Sequence, residues 1–168
     1  MSTPTMNFNV DKESNKIQVI REFAAPVSRV WKAWTQQELL DQWWAPKPWT
    51  AQTKEMDFRE GGKWIYAMVS PEGEKHWART DFQSVKTLVS FTGLDAFVDE
   101  KGNKNTGLPE STWKVEFDES SITTTLISVE IEYDSSEDLE KILEMGFIEG
   151  FSAALQNLDE LLKEQENL

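Results

Sequence analysis

"DSSEDLEKILEMGFIEGFSAALQNLDELL", Asp134 to Leu162, decides the architecture, because apolar residues recur through it at the spacing of one helical face. Leu139, Ile142, Leu143, Phe147, Phe151, Ala154, Leu155, Leu158, Leu161 and Leu162 form the stripe, and the serines and acids at its head suit a helix amino terminus. The spacing predicts one unbroken helix of roughly 40 to 45 Å, long enough to cross a whole sheet. Gly146 and Gly150 interrupt the stripe, and each costs about 1 kcal/mol relative to alanine. Two compensations are open at this stage: close packing of helix on sheet, or volume left for a cavity beside Met145 and under Trp64, Tyr66 and Trp113.

The segments before that helix read as strands. In "STWKVEF" and "ITTTLISVEIEY" the alternation puts Trp113, Val115 and Phe117 on one face, and Ile127, Val129, Ile131 and Tyr133 on another. "TAQTKEMDF", "KWIYAMV", "KHWARTDFQSV" and "TLVSFT" give four more, joined by the tight turns "REGG" and "SPEGE", in which Gly61 and Gly62 are expected at positive φ. Trp64, Tyr66 and Met68 share a face, as do Arg79 and Asp81, while Phe82 and Val85 both turn inward only across a bulge. Gly93 to Glu110 reads as a long polar loop. Met6, Phe8 and Val10 alternate before the turn "DKESN", and Ile17, Val19 and Phe23 follow it, so residues 1–15 are either mobile or one arm of a hairpin.

Between the first strand and "TAQTKEMDF" lie two short helices. Pro26 suits the first helical position, Val27, Val30, Trp31 and Trp34 form one face, and Thr35 with Glu38 has capping-box spacing for a second helix ending at "WWAPKPW". The fold class is therefore α+β: a curved antiparallel sheet of six to seven strands around a long carboxy-terminal helix, in a single domain over residues 1–168.

Composition narrows the function. A formal charge of −13 argues against nucleic acid and anionic membranes, and no run of about 18 apolar residues exists for membrane insertion. Zero cysteines and a lone histidine, His76, leave no thiolate chemistry and no zinc-ligand set; neither a metal nor a cofactor is implied. A cytoplasmic monomer is the expectation.

"APVSRVWKAWTQQELLDQWWAP", "EMDFREGGKWIYAM", "DAFVDEKGN" and "LEMGFIEGFSAALQNLDELL" resemble the bacterial, AHSA-type relatives of the activator of the large heat-shock chaperone ATPase, within the START-like (SRPBCC) superfamily. The likeness runs from Ile17 to Leu162. It implies a helix-grip, Bet v-like fold whose sheet and long helix enclose an apolar cavity, used by relatives for lipids, sterols or aromatic products and by some for cyclase or dehydratase chemistry. It carries no universal catalytic residue, and none is assigned. The chaperone-binding amino-terminal domain of the eukaryotic activator has no counterpart in this sequence, which weighs against a co-chaperone role.

Three functions follow in order of preference. The first is binding of an apolar or aromatic small molecule among Trp34, Trp64, Tyr66, Met68, Arg79, Asp81, Phe91, Trp113, Val115, Met145, Gly146 and Gly150, with Arg79 and Asp81 anchoring a polar tail if their face of the strand turns inward; a solvated ion pair on the outer face is the other reading of the two. The second is cyclisation, dehydration or hydrolysis in the same cavity with Tyr66, His76, Arg79 or Asp81 as acid, base or anchor. The third is partnership with a heat-shock chaperone through the surface, which an exposed apolar patch on the helix pair would favour.

Overall fold

Alternating side chains and tight turns generate one eight-stranded antiparallel sheet in the computed structural model, which describes residues 6–166. The strands are β1 (Met6–Asp11), β2 (Lys16–Phe23), β3 (Thr50–Met56), β4 (Lys63–Val69), β5 (Lys75–Lys86), β6 (Ser90–Val98), β7 (Ser111–Ser121) and β8 (Thr124–Tyr133). Their spatial order is β1-β2-β8-β7-β6-β5-β4-β3, so every sequential pair from β3 to β8 is a hairpin and β2 closes on β8. The count exceeds the expected six to seven because Met6 to Phe23 forms two strands. Asp11 Oδ1 accepts from the amides of Glu13 and Ser14, and Asn15 takes φ 59°, which turns the chain back on itself.

Register brings the apolar faces together. Trp113 pairs with Ile131, Val115 with Val129 and Phe117 with Ile127, and all six are buried on the side that faces the helices. The bulge that Phe82 and Val85 require lies between Phe82 and Ser84.

The helices are α1 (Val27–Thr35), α2 (Gln37–Trp43), α3 (Ser136–Glu144) and α4 (Phe147–Glu166). Pro26 is the N-cap of α1, one residue before the expected place. The capping box does not form: Thr35 ends α1 and donates from Oγ1 to the Trp31 carbonyl at 2.8 Å, while Gln36 precedes α2 without a side-chain cap. A threonine in the last turn of a helix finds an i−4 carbonyl nearer than the next helix's amides.

The carboxy-terminal stripe is also not one helix. Ser135 caps α3 by accepting from the Asp138 amide, as its serines and acids foretold, but α3 ends at Glu144. Gly146 takes φ +85°, where an L side chain is strained, and its amide bonds the Leu143 carbonyl at 3.1 Å, closing α3 before α4 departs at Phe147. Stripe periodicity survives such a break because the apolar faces of both pieces meet the same sheet. In the "REGG" turn only Gly61 has positive φ, +82°; Gly62 is required because a Cβ there would lie 2.0 Å from the Asp57 carbonyl oxygen.

One charged pair crosses the sheet–helix interface. Arg21, on the inward face of β2, donates from Nη2 to Asp159 Oδ2 on α4, and both residues are buried, at 5% and 8% exposure. Burial raises the Asp159 carboxyl above its ordinary range although Arg21 pulls the other way.

Candidate functional site

Inward-facing aromatic rings are concentrated where α2 ends and α4 begins, and Trp44 is their hub. Its ring centroid lies 5.4 Å from Trp64, 5.9 Å from Trp34 and from Trp113, and 6.0 Å from Phe151, mostly in edge-to-face contacts. Trp64 stacks on Tyr66 at 4.1 Å. Rigid rings meeting edge to face do not fill space as aliphatic chains do, and the neighbouring wall positions are small: Ala78, Ser111 and Gly150.

The space left is a cavity of about 230 Å³ between the inner face of β4–β8 and the α3–α4 corner. Trp44 and Pro46 line it from the end of α2, Tyr66 and Met68 from β4, Asp95 and Phe97 from β6, Trp113 from β7 and Tyr133 from β8. Ile142, Met145, Phe147, Gly150 and Phe151 complete it from the helices. His76 and Met145 are exposed lining residues and mark its mouth. A narrow extension of about 30 Å³ shares Trp44, Asp95 and Trp113 with it and runs among Trp34, Trp64, Phe91, Gly93 and Val115.

Polar atoms in this apolar space are few and convergent. Asp95 accepts from Thr80 Oγ1 at 2.9 Å, across the β5–β6 ladder in which the two residues pair. It lies deep in the molecule yet keeps intermediate exposure, because it borders the cavity. Burial pushes its carboxyl up to about 7 against the opposing Thr80 hydrogen bond. Burial likewise raises the phenols of Tyr66 and Tyr133, with the Asp95 charge adding to both, so these hydroxyls stay protonated and face the carboxyl. The Trp44 indole approaches the Tyr66 hydroxyl, but Trp44 Nε1 makes no hydrogen bond of regular geometry, and neither does Trp34 Nε1. Two other indoles of the wall are satisfied: Trp64 Nε1 donates to Thr53 Oγ1 and Trp113 Nε1 to Ser111 Oγ, each at 3.0 Å.

Of the residues expected at the site, Tyr66, Met68, Trp113, Met145 and Gly150 line the main cavity, and Trp34, Trp64, Phe91 and Val115 its extension. Gly146 lines neither; its role is the helix break. Arg79 and Asp81 take the outer-face reading and not the anchor. They pair with Ile65 and Lys63 on β4, alternating with Ala78 and Thr80, which face inward opposite Tyr66 and Trp64. The guanidinium therefore lies on the outer face, where Nη2 donates to Asp81 Oδ1 at 2.7 Å and Nη1 reaches the Gly102 carbonyl at 3.4 Å. That ion pair fastens the segment after β6 to the back of the sheet and holds the guanidinium above its ordinary range. His76, read as one option for acid or base, stands at the mouth beside Trp49, ring centroids 5.3 Å apart, with Nε2 3.2 Å from Glu74.

Asp95 is the residue the sequence reading missed. It fell within the expected loop Gly93–Glu110, but β6 runs to Val98 and only the residues after it form the connection. Phe91, Gly93, Asp95 and Phe97 alternate on the inner face, a period-two signal hidden by a glycine and an acid.

Among the described residues no cluster of histidine, cysteine and carboxylates suits a metal, and no helix is long and apolar enough to cross a membrane. No curated protein matches this sequence. Solved structures do. A Mycobacterium smegmatis protein is 35% identical over 95% of this chain and 97% of its own, with a TM-score of 0.86. An Arthrobacter aurescens protein is 29% identical, covering 94% and 91%, with a TM-score of 0.89. One from Nitrosomonas europaea is 28% identical over 92% and 98%, at 0.79. The helix-grip arrangement of sheet and carboxy-terminal helix is common to these similar structures. The profile of one family, Activator of Hsp90 ATPase homolog 1-like protein, matches residues 24–163, and with that span the chain belongs to this family within the START-like superfamily.

Proposed function

We propose that this protein binds an apolar or aromatic small molecule between its sheet and its carboxy-terminal helices. The observation that carries the reading is the cavity of about 230 Å³, walled by aromatic rings and opening between His76 and Met145. An engineered cavity of about 150 Å³ holds benzene, so this one has the size for a bicyclic ring system or a short branched chain. Its few polar atoms converge at one point, which is how small-molecule sites fix orientation.

A second reading draws on the same point. A carboxyl whose pKa lies near neutrality, facing two protonated phenols inside an apolar space, is placed for general acid or base work on a bound substrate, as cyclisation or dehydration would require. A chaperone partner has less support: the large exposed hydrophobics Leu88, Val89, Leu94, Ile122 and Met145 all lie off the α1–α2 pair.

Native mass spectrometry of freshly purified protein tests the binding reading, paired with tryptophan fluorescence titration using an apolar aromatic probe. A retained mass adduct, or saturable quenching through Trp44 and Trp113, is the expected result. Neither adduct nor saturation under native conditions removes the proposal.

A further inference from the structure

We infer that the cavity selects molecules that join an aromatic or apolar body to a basic amine, with the ammonium set against the carboxylate of Asp95 and the body among the surrounding rings. The inference rests on the small-molecule reading above and adds the charge class of the ligand.

Five observations support it. Among the described residues Asp95 is the one carboxylate lining the main cavity, and no lysine or arginine lines it. The only side-chain hydrogen bond to Asp95 among the described residues comes from Thr80, so most of its acceptor capacity faces the cavity unused. A charge so placed is costly until a counter-ion joins it, and an ammonium brings three donors as well as the charge. Trp44, Tyr66, Trp113 and Phe151 line the same space, and their ring faces attract cations, tryptophan most strongly. Arg79, the group that would have anchored an acid, is on the opposite face of the sheet. An anionic ligand would therefore meet a like charge with no cation to offset it. The net charge of −13 also enriches cations around the protein before they reach the mouth.

Burial leaves the Asp95 carboxyl balanced near neutral pH, so an arriving ammonium would shift it to the ionised form. Tyr66 and Tyr133, the titratable groups that face it from β4 and β8, remain protonated throughout, and His76 at the mouth is the remaining titratable lining residue.

Three naphthalene probes of matched shape make the test: the aminomethyl, hydroxymethyl and carboxylate derivatives, titrated calorimetrically into the wild-type protein and Asp95→Asn at about pH 8. In the wild type the amine should bind about tenfold or more tighter than the alcohol, and the carboxylate weakest. Asp95→Asn keeps the shape and the acceptor for Thr80; it should bring amine and alcohol to within about threefold of each other. An amine preference that persists in Asp95→Asn assigns the selectivity to general surface charge and overturns the inference. Saturable binding of the alcohol with no wild-type preference for the amine overturns it too, while leaving the small-molecule reading standing. No saturable binding of any probe overturns both. If the variant does not fold, the wild-type titrations repeated at about 1 M salt decide: an amine preference lost there belongs to screened surface charge and overturns the inference, and one that persists supports it.

Discussion

Thr80 and Asp95 face each other across neighbouring strands, and the threonine hydroxyl donates to the carboxyl at 2.9 Å inside the aromatic cavity. A single neutral donor is weak compensation for a carboxylate removed from water, which is why burial prevails and the carboxyl titrates near 7.

The pH dependence of stability follows from that shift. The unfolded carboxyl ionises near 3.8 and the folded one near 7, so between those values the folded state holds a proton that the unfolded state has lost. Stability must fall as pH rises through that window and level off above it. Asp95→Asn removes the titration. Urea unfolding should find the variant more stable than wild type above about pH 7, by up to the order of 4 kcal/mol, with the gain shrinking toward zero near pH 4. A gain that does not change with pH would place the carboxyl in water rather than in the cavity.

Arg79→Met tests the outward placement of the ion pair. Because the guanidinium holds Asp81 and the Gly102 carbonyl on the back of the sheet, the substitution should leave the affinity of neutral and charged aromatic probes unchanged. Amide exchange should quicken around Gly102, with a loss of about 1 kcal/mol or less for a pair this exposed. A selective loss of affinity for acidic probes would instead return Arg79 to the cavity wall.

These two residues show what the sequence could reveal. Strand faces bearing Trp64, Tyr66, Trp113 and Val129 were legible because period two is written in large apolar side chains on both partners. The Arg79–Asp81 face was not, because β5 carries mixed residues on both sides and only its register with β4 separates Thr80 from Arg79. Asp95 was hidden for a related reason: an acid and a glycine at inward positions read as loop. Its burial depends on neighbours from β4, β5 and β8 that no local pattern links. The break at Gly146 was invisible for the opposite reason, since two helices on one sheet continue one stripe.

Arg21 and Asp159 are a second buried polar feature, far apart in sequence and close in the fold. Arg21→Met leaves Asp159 buried without its partner and should cost about 3 to 5 kcal/mol. Arg21→Met combined with Asp159→Leu removes both charges from the interface and should recover most of that loss. A double-mutant cycle by urea denaturation measures the coupling; additive losses would mean that the two side chains do not pair in solution.

The two helix glycines separate the break from the cavity. Gly146 has φ +85° and lines no part of the cavity, so Gly146→Ala should cost about 1 to 2 kcal/mol through left-handed strain and leave probe affinity as it was. Gly150 is helical and lines the cavity, and a Cβ built there meets Pro46 Cγ at 3.8 Å, an ordinary contact. Gly150→Leu therefore adds a side chain for which the open direction is the cavity itself. Helix propensity should improve by about 1 kcal/mol while an aromatic probe loses most of its affinity. Urea unfolding and fluorescence titration of both variants read the two quantities separately. If Gly150→Leu destabilises strongly and binds the probe as wild type does, the glycine serves tight packing of α4 on α2, and the binding volume lies elsewhere.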